Sequence, residues 1–200
     1  IEQAVDPIIL TETLSNYNGF NIDCNAANSG TITVDLSGGS GVFNYVFNRI
    51  ESDGTETVLD INTIPPTSNP LVFDFLVAGD YTLTIEDPNC TEQIVRDYTL
   101  TQPDELVITA TLVDPVSCFN GLATYDVTAT GGVPPYTGTG LQSVLSGPVT
   151  FIVSDSNGCE DDFSTVVDEP TELLATFTIE DAPCFGETGQ INVTPTGGTG

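Results

Sequence analysis

One stretch of this chain occurs three times. The first copy starts at Cys24 and reads CNAANSGTITVDLSGGSG. The second starts at Cys118 and reads CFNGLATYDVTATGGVPPY. The third starts at Cys184 and reads CFGETGQINVTPTGGTG. Each has a cysteine, a small polar loop, an alternating segment and a Gly-Gly pair. The distance from the cysteine to the first glycine of the pair (Gly38, Gly131, Gly197) varies by a single residue. Self-similarity at this period marks a tandem array of one supersecondary unit. It divides the chain into residues 1–102, 103–169 and 170–200. The first two are complete modules, and the last is the opening of a third, truncated one. We therefore expect a window from a longer protein. Pro103 and Pro170 mark the boundaries, because proline cannot donate to a ladder and restricts the residue before it. Leu10, Leu106 and Leu173 occupy matching places just inside each module.

The alternation has a period of two, which is that of a strand with one buried face. In the first module Ile32 and Val34 should face inward, with Thr31, Thr33 and Asp35 outward. Tyr125 and Val127 take the inward places in the second module, and Ile191 and Val193 in the third. Each complete module closes on another alternating strand, through Tyr81, Leu83 and Ile85 or through Val149, Phe151 and Val153. The Ser52-Asp53-Gly54 triplet reads as the turn of an extra hairpin in the first module. Strands separated by turn signals, with no helical period, predict an all-β chain. We expect tandem small immunoglobulin-like antiparallel β-sandwich modules.

Arg49 and Arg96 are the only basic side chains against 29 acidic ones, for a net charge of −27. Phosphate contacts need Lys or Arg, so nucleic acid is not expected as a partner. No stretch is long and apolar enough to enter a membrane as a spanning helix. With no His and no Lys, neither a histidine-based triad nor a Schiff base can be assembled. Carboxylate pairs such as Asp161 and Asp162 are the only acid–base chemistry left. A glycosidase needs two carboxylates opposed across a cleft, which modules this small do not offer. No enzyme, no catalytic residue and no cofactor are expected. Asp155 and Asn157 resemble the start of a calcium loop, but a plain turn outweighs it because most of the ligand positions are missing. Tyr17, Phe20, Tyr45 and Phe119 are candidates for stacking on sugars, weighed against ordinary packing.

The cysteines are read as staples. Each first cysteine precedes an inward-alternating strand and each second cysteine follows another. If those strands run antiparallel, the two ends meet at one pole of the module. The expected bridges are Cys24–Cys90 and Cys118–Cys159, with Cys184 paired beyond Gly200. Repeated cysteines at loop–strand junctions point to an oxidising, extracellular setting.

Cys118, Gly131, Gly132, Pro135, Tyr136, Asp155, Asn157, Gly158 and Cys159 together resemble the SprB repeat of giant surface adhesins in gliding Bacteroidota. The first module is similar at Cys24, Gly38, Gly39, Gly79, Tyr81, Asp87 and Cys90. It departs where Val42-Phe43-Asn44-Tyr45 replaces Pro-Tyr and where Pro88-Asn89-Cys90 replaces Asn-Gly-Cys. The resemblance implies type IX secretion, a place on the outer cell surface and association with the gliding machinery. It implies a structural or adhesive repeat segment that meets an extracellular surface or polysaccharide. The alternative is a module that binds glycan or protein directly.

Two outcomes follow from the charge. A gel shift with DNA or RNA at physiological salt should show no complex, because two arginines neutralise too few phosphates. Ca²⁺ should raise the melting temperature only slightly and no more than Mg²⁺ does, as general screening predicts; a saturable Ca²⁺-specific shift would contradict this.

Overall fold

A computed structural model describes residues 6–64, 69–89 and 93–199. All regular structure among them is β, and every strand pair is antiparallel. No helix is long and apolar enough to cross a membrane. The chain forms two compact units. One comprises Ile1–Leu106 with Gly131–Pro134 and Asp155–Cys159. The other comprises Val107–Thr130, Pro135–Ser154 and Glu160–Gly200.

The first unit holds β1 (Ile9–Leu14), β2 (Gly30–Ser37), β3 (Phe43–Ile50), β4 (Glu56–Ile64), β5 (Leu71–Leu76), β6 (Gly79–Glu86) and β7 (Gln93–Leu100). They make one sheet in the order β1-β2-β5 and another in the order β4-β3-β6-β7. Sheets of three and four strands enclosing one core are the immunoglobulin-like arrangement. Period-two patterning sets each strand's orientation. Ile32 and Val34 are fully buried, as are Leu83 and Ile85, with Tyr81 beside them, while the intervening residues reach toward solvent. Aromatic rings join the two sheets. Phe47 of β3 stacks on Phe73 of β5 at 4.0 Å between centroids and on Tyr81 of β6 at 5.5 Å. Each such pair adds about 1 kcal/mol beyond the area it buries. At the extra hairpin, Gly54 N–H donates to Glu51 O and Glu51 N–H to Thr55 O, closing the turn expected there between β3 and β4.

The second unit holds β8 (Val107–Asp114), β9 (Leu122–Thr130), β10 (Gly140–Leu145), β11 (Gly147–Ser154), β12 (Glu160–Val167), β13 (Leu174–Glu180) and β14 (Gln190–Thr196). β10-β9-β8 form one sheet, and β11-β12 and β13-β14 form hairpins. Among the described residues the β3–β4 hairpin has no counterpart, and an isolated bridge from Thr137 to Ser154, at the end of β11, stands where β3 pairs with β6. Tyr125, Val127, Phe151 and Val153 are buried as their alternation requires. Ile191 and Val193 are not: they are 65% and 61% exposed. They face the expected way for their hairpin, paired with Ile179 and Phe177, but no opposing sheet covers them.

The equivalence of Leu10 with Leu106 needs correction. Gly132 N–H donates to Asp104 O, and the matching bond in the first repeat is Gly39 N–H to Asp6 O. Counting on two residues from each carbonyl makes Ile8 the partner of Leu106, so the first repeat enters its strand two residues earlier than the leucine pattern suggested.

Two tyrosines whose hydroxyls are bonded to carboxylates tie stability to alkaline pH. Burial, and then the hydrogen bond from its hydroxyl to Asp60 Oδ2 at 2.6 Å, push Tyr45 up to about 12. Burial and Glu12, which accepts its hydroxyl at 3.0 Å, push Tyr98 up as well. The folded state therefore holds these protons more tightly than the unfolded chain, whose tyrosines titrate near pH ~10. Their contribution is intact below that pH and is lost as pH rises through the folded values. Urea midpoints should be flat to about pH 9.5 and fall above about pH 10. The Tyr45→Phe/Tyr98→Phe chain should fall less steeply; equal slopes would refute the assignment.

Candidate functional site

The Gly-Gly turns are the best-defined sites in the molecule. All three are closed by the same bond. Gly39, Gly132 and Gly198 N–H donate to Asp6, Thr171-equivalent Asp104, and Thr171 carbonyls respectively, at 2.8, 2.9 and 2.9 Å. Backbone approach dictates the first glycine of each pair. A Cβ on Gly38, Gly131 or Gly197 would lie 2.0, 1.8 or 2.0 Å from the carbonyl oxygen of Pro7, Glu105 or Glu172. All six glycines also have positive φ, which side-chain-bearing residues rarely adopt.

A buried aspartate dictates the second glycine. Asp87, fully buried, accepts Ser40 N–H at 2.6 Å, Ser40 Oγ–H at 2.7 Å and Asn89 N–H at 2.8 Å. Asp155, 7% exposed, accepts Val133 N–H at 2.8 Å and the N–H groups of Asn157 and Cys159, each at 2.9 Å. A Cβ on Gly39 would fall 2.8 Å from Asp87 Oδ2, and one on Gly132 2.7 Å from Asp155 Oδ2. A buried carboxylate is tolerated when backbone donors replace its water. The Asx turn was legible in the sequence. Its grip on a Gly-Gly turn more than twenty residues upstream was not, although the joint recurrence of Gly-Gly and Asp-x-Asn is a signal that would have found it.

The calcium candidates are thus occupied differently. Asp155 spends both oxygens on backbone N–H groups. Asn157 accepts from Asn18 Nδ2 at 2.6 Å and donates its own Nδ2–H to Asp23 O at 2.8 Å. Among the described residues, no group of three or more His, Cys, Asp or Glu is placed to hold a metal. Asp161 and Asp162 are neighbours on β12 rather than opposed, and Asp161 accepts Ile108 N–H at 2.9 Å. Of the sugar-stacking candidates, Tyr45 is a core residue, Tyr17 donates its hydroxyl to Ser29 O and forms an isolated bridge with Phe20, and Phe119 is exposed. No group of these four forms an exposed aromatic patch.

The cystine corrects the expected connectivity. Cys24 is bonded to Cys159, with Cα atoms 5.7 Å apart, and Cys118 is a free, exposed thiol. Neither the Cys24–Cys90 nor the Cys118–Cys159 pairing holds. Cys90 itself lies outside the described residues. The physical reason is the seat of the Asp155–Cys159 loop. Asn157 bonds Asp23 O, and Ser156 N–H donates to Val133 O, so Cys159 is delivered to Cys24 within the first unit. The loop closed spans a sequence separation of 135. On the chain-entropy account that constraint is worth about 5 kcal/mol.

Two outcomes check this site. Peptide mapping without reduction should join the Cys24 and Cys159 peptides and leave Cys118 open to alkylation. Asp87→Asn and Asp155→Asn should each lower stability by about 2 kcal/mol in urea unfolding, because an amide turns a donor or a weaker acceptor toward fixed N–H groups; a change within error would exclude the lock.

No curated protein matches the chain. Residues 20–50 match the SprB repeat family. That stretch holds the Cys24 loop, β2, the Gly38-Gly39 turn and β3, and it lies in the repeat whose motif departs further from the family pattern. The same Cys-to-Gly-Gly hairpin is built three times over, so the stretch similar to the SprB repeat recurs along the chain, and the match supports reading it as a SprB-repeat region.

Proposed function

We propose that the chain is a shaft segment of a large secreted cell-surface adhesin, structural rather than catalytic, of the kind used in attachment and gliding. The observation that carries this reading is the SprB-repeat match on a module whose recurring residues are all spent on architecture. Gly38, Gly39, Asp87 and Cys24 close turns or bridges rather than facing an opening. A cystine that closes so long a loop fits an oxidising compartment outside the cell. The charge of −27 suits a surface of parallel chains that must not aggregate. Export by type IX secretion, a place on the outer-membrane exterior and coupling to gliding machinery belong to this proposal through the resemblance. No cofactor enters it.

One observation favours direct binding as a second reading. Phe75 is 79% exposed and sits in the left-handed region at φ 59°. With Leu59 and Val72 it borders a depression of about 370 Å³ in the first unit. A bulky residue held in that conformation is uncommon, and an exposed ring beside a hollow can stack on a sugar or a partner's side chain.

The deciding experiment is a glycan array with this chain alone, beside surface labelling of the producing cells with an antibody to it. A shaft segment should be reached by the antibody on intact cells and bind no glycan. Saturable glycan binding that Phe75→Ala removes would establish the second reading. Failure of the antibody to reach intact cells would refute both.

A further inference from the structure

We propose that Cys118 and the depression beside it are the seat of an Asp-x-Asn-Gly-Cys loop from a third repeat, lodged and cross-linked there as Asp155–Cys159 is lodged and cross-linked to Cys24. The first unit supplies the template. The chain turns tightly after Cys24, with Ala27 N–H donating to Cys24 O and Ala26 at φ 57°. Ala26 N–H is fixed by Gln102 Oε1 at 3.0 Å, the residue before the boundary proline. The Asp155–Cys159 loop then bonds to Asp23 O and to both backbone groups of Val133.

The second unit repeats this receptor residue for residue. Gly121 N–H donates to Cys118 O, and Asn120 has φ 59°. Asn120 N–H is fixed at 2.7 Å by Glu169 Oε2, again the residue before the boundary proline. Ser117, Gly198 and Thr199 stand where Asp23, Gly132 and Val133 stand in the template, and Gly198 is bound to Thr171 O as Gly132 is to Asp104 O. Here the seat is open. A depression of about 280 Å³ is lined by Ser117, Cys118, Phe119, Leu173, Gly198 and Thr199, among others. Leu173 packs against the Gly198 turn as Leu106 packs against Gly132. Yet Leu106 is 7% exposed and Leu173 is 66% exposed. The missing cover is the size and chemistry of the loop seen in the template: a carboxylate for Thr199 N–H, an amide for Ser117 O and a sulfur for Cys118. Cys184 opens a similar turn, with Glu187 N–H donating to Cys184 O, but it does not line this depression. The bridge pattern that follows runs from the first cysteine of one repeat to the second cysteine of the next.

The test uses the whole chain and a synthetic peptide with the sequence of residues 147–167, its cysteine carried as a mixed disulfide with thionitrobenzoate. A thiolate of the chain attacks the peptide sulfur, a new S–S bond forms, thionitrobenzoate leaves with the electron pair, and the thiol's proton goes to solvent. Mass mapping should find the peptide on Cys118 in preference to Cys184 by a factor on the order of ten, through the raised local concentration of a seated loop. Cysteamine activated in the same way should label both thiols alike. Replacing Asp155 of the peptide by asparagine, or Thr199→Pro in the chain, should erase the preference. Equal labelling by the peptide, or a preference that survives both changes, overturns the proposal.

Discussion

The structure of each complete repeat depends on one buried carboxylate. Asp87 and Asp155 each turn three donors inward, and in each case one donor is the N–H that follows a Gly-Gly pair. A charge placed in a small core is costly unless donors replace its water, and these donors come from the turns that the carboxylate touches. The carboxylate ties down the turn that follows β2 or β9, and the period of two decides which side chains of those strands are buried. Ile32, Val34, Tyr125 and Val127 are buried on that alternation.

The third hairpin shows the same device without its carboxylate. Its glycines make the same close approach and Gly198 makes the same bond to the entering strand. Local geometry is therefore complete before any aspartate arrives. Burial is not, since Phe177, Ile179, Ile191 and Val193 all remain more than half exposed. Turn chemistry specifies the hairpin, whereas burying its apolar face needs a second layer.

Surface chemistry is consistent with a structural role. The ion pair of Arg96 with Glu12, at 3.4 Å, is partly exposed and worth little on its own. Arg96 does place a positive charge beside the Glu12 that accepts the Tyr98 hydroxyl, joining β7 to β1 in the first unit. Polar side chains are spent on holding strands and turns, as in the Asn69 side chain, which bonds both N–H and O of Leu36.

By itself the sequence determined the tandem array, the all-β class, the inward faces of the strands in the first two repeats and the extra β3–β4 hairpin. These follow from spacing, from alternation and from turn residues, which are local properties that each repeat carries in full. Tertiary structure decided the rest. Cys24 and Cys159 lie far apart in the chain, and their pairing depends on where the Asp155–Cys159 loop seats, which alternation does not encode. Strand alternation places Cys24 and Cys159 at loop–strand junctions but does not encode that the Asp155–Cys159 loop belongs to the first unit. Asp155 likewise reads as a turn residue in sequence; only the fold brings its carboxylate within 2.8 Å of Val133 N. Cys118 opens the same kind of turn as Cys24, and only the three-dimensional arrangement leaves it exposed.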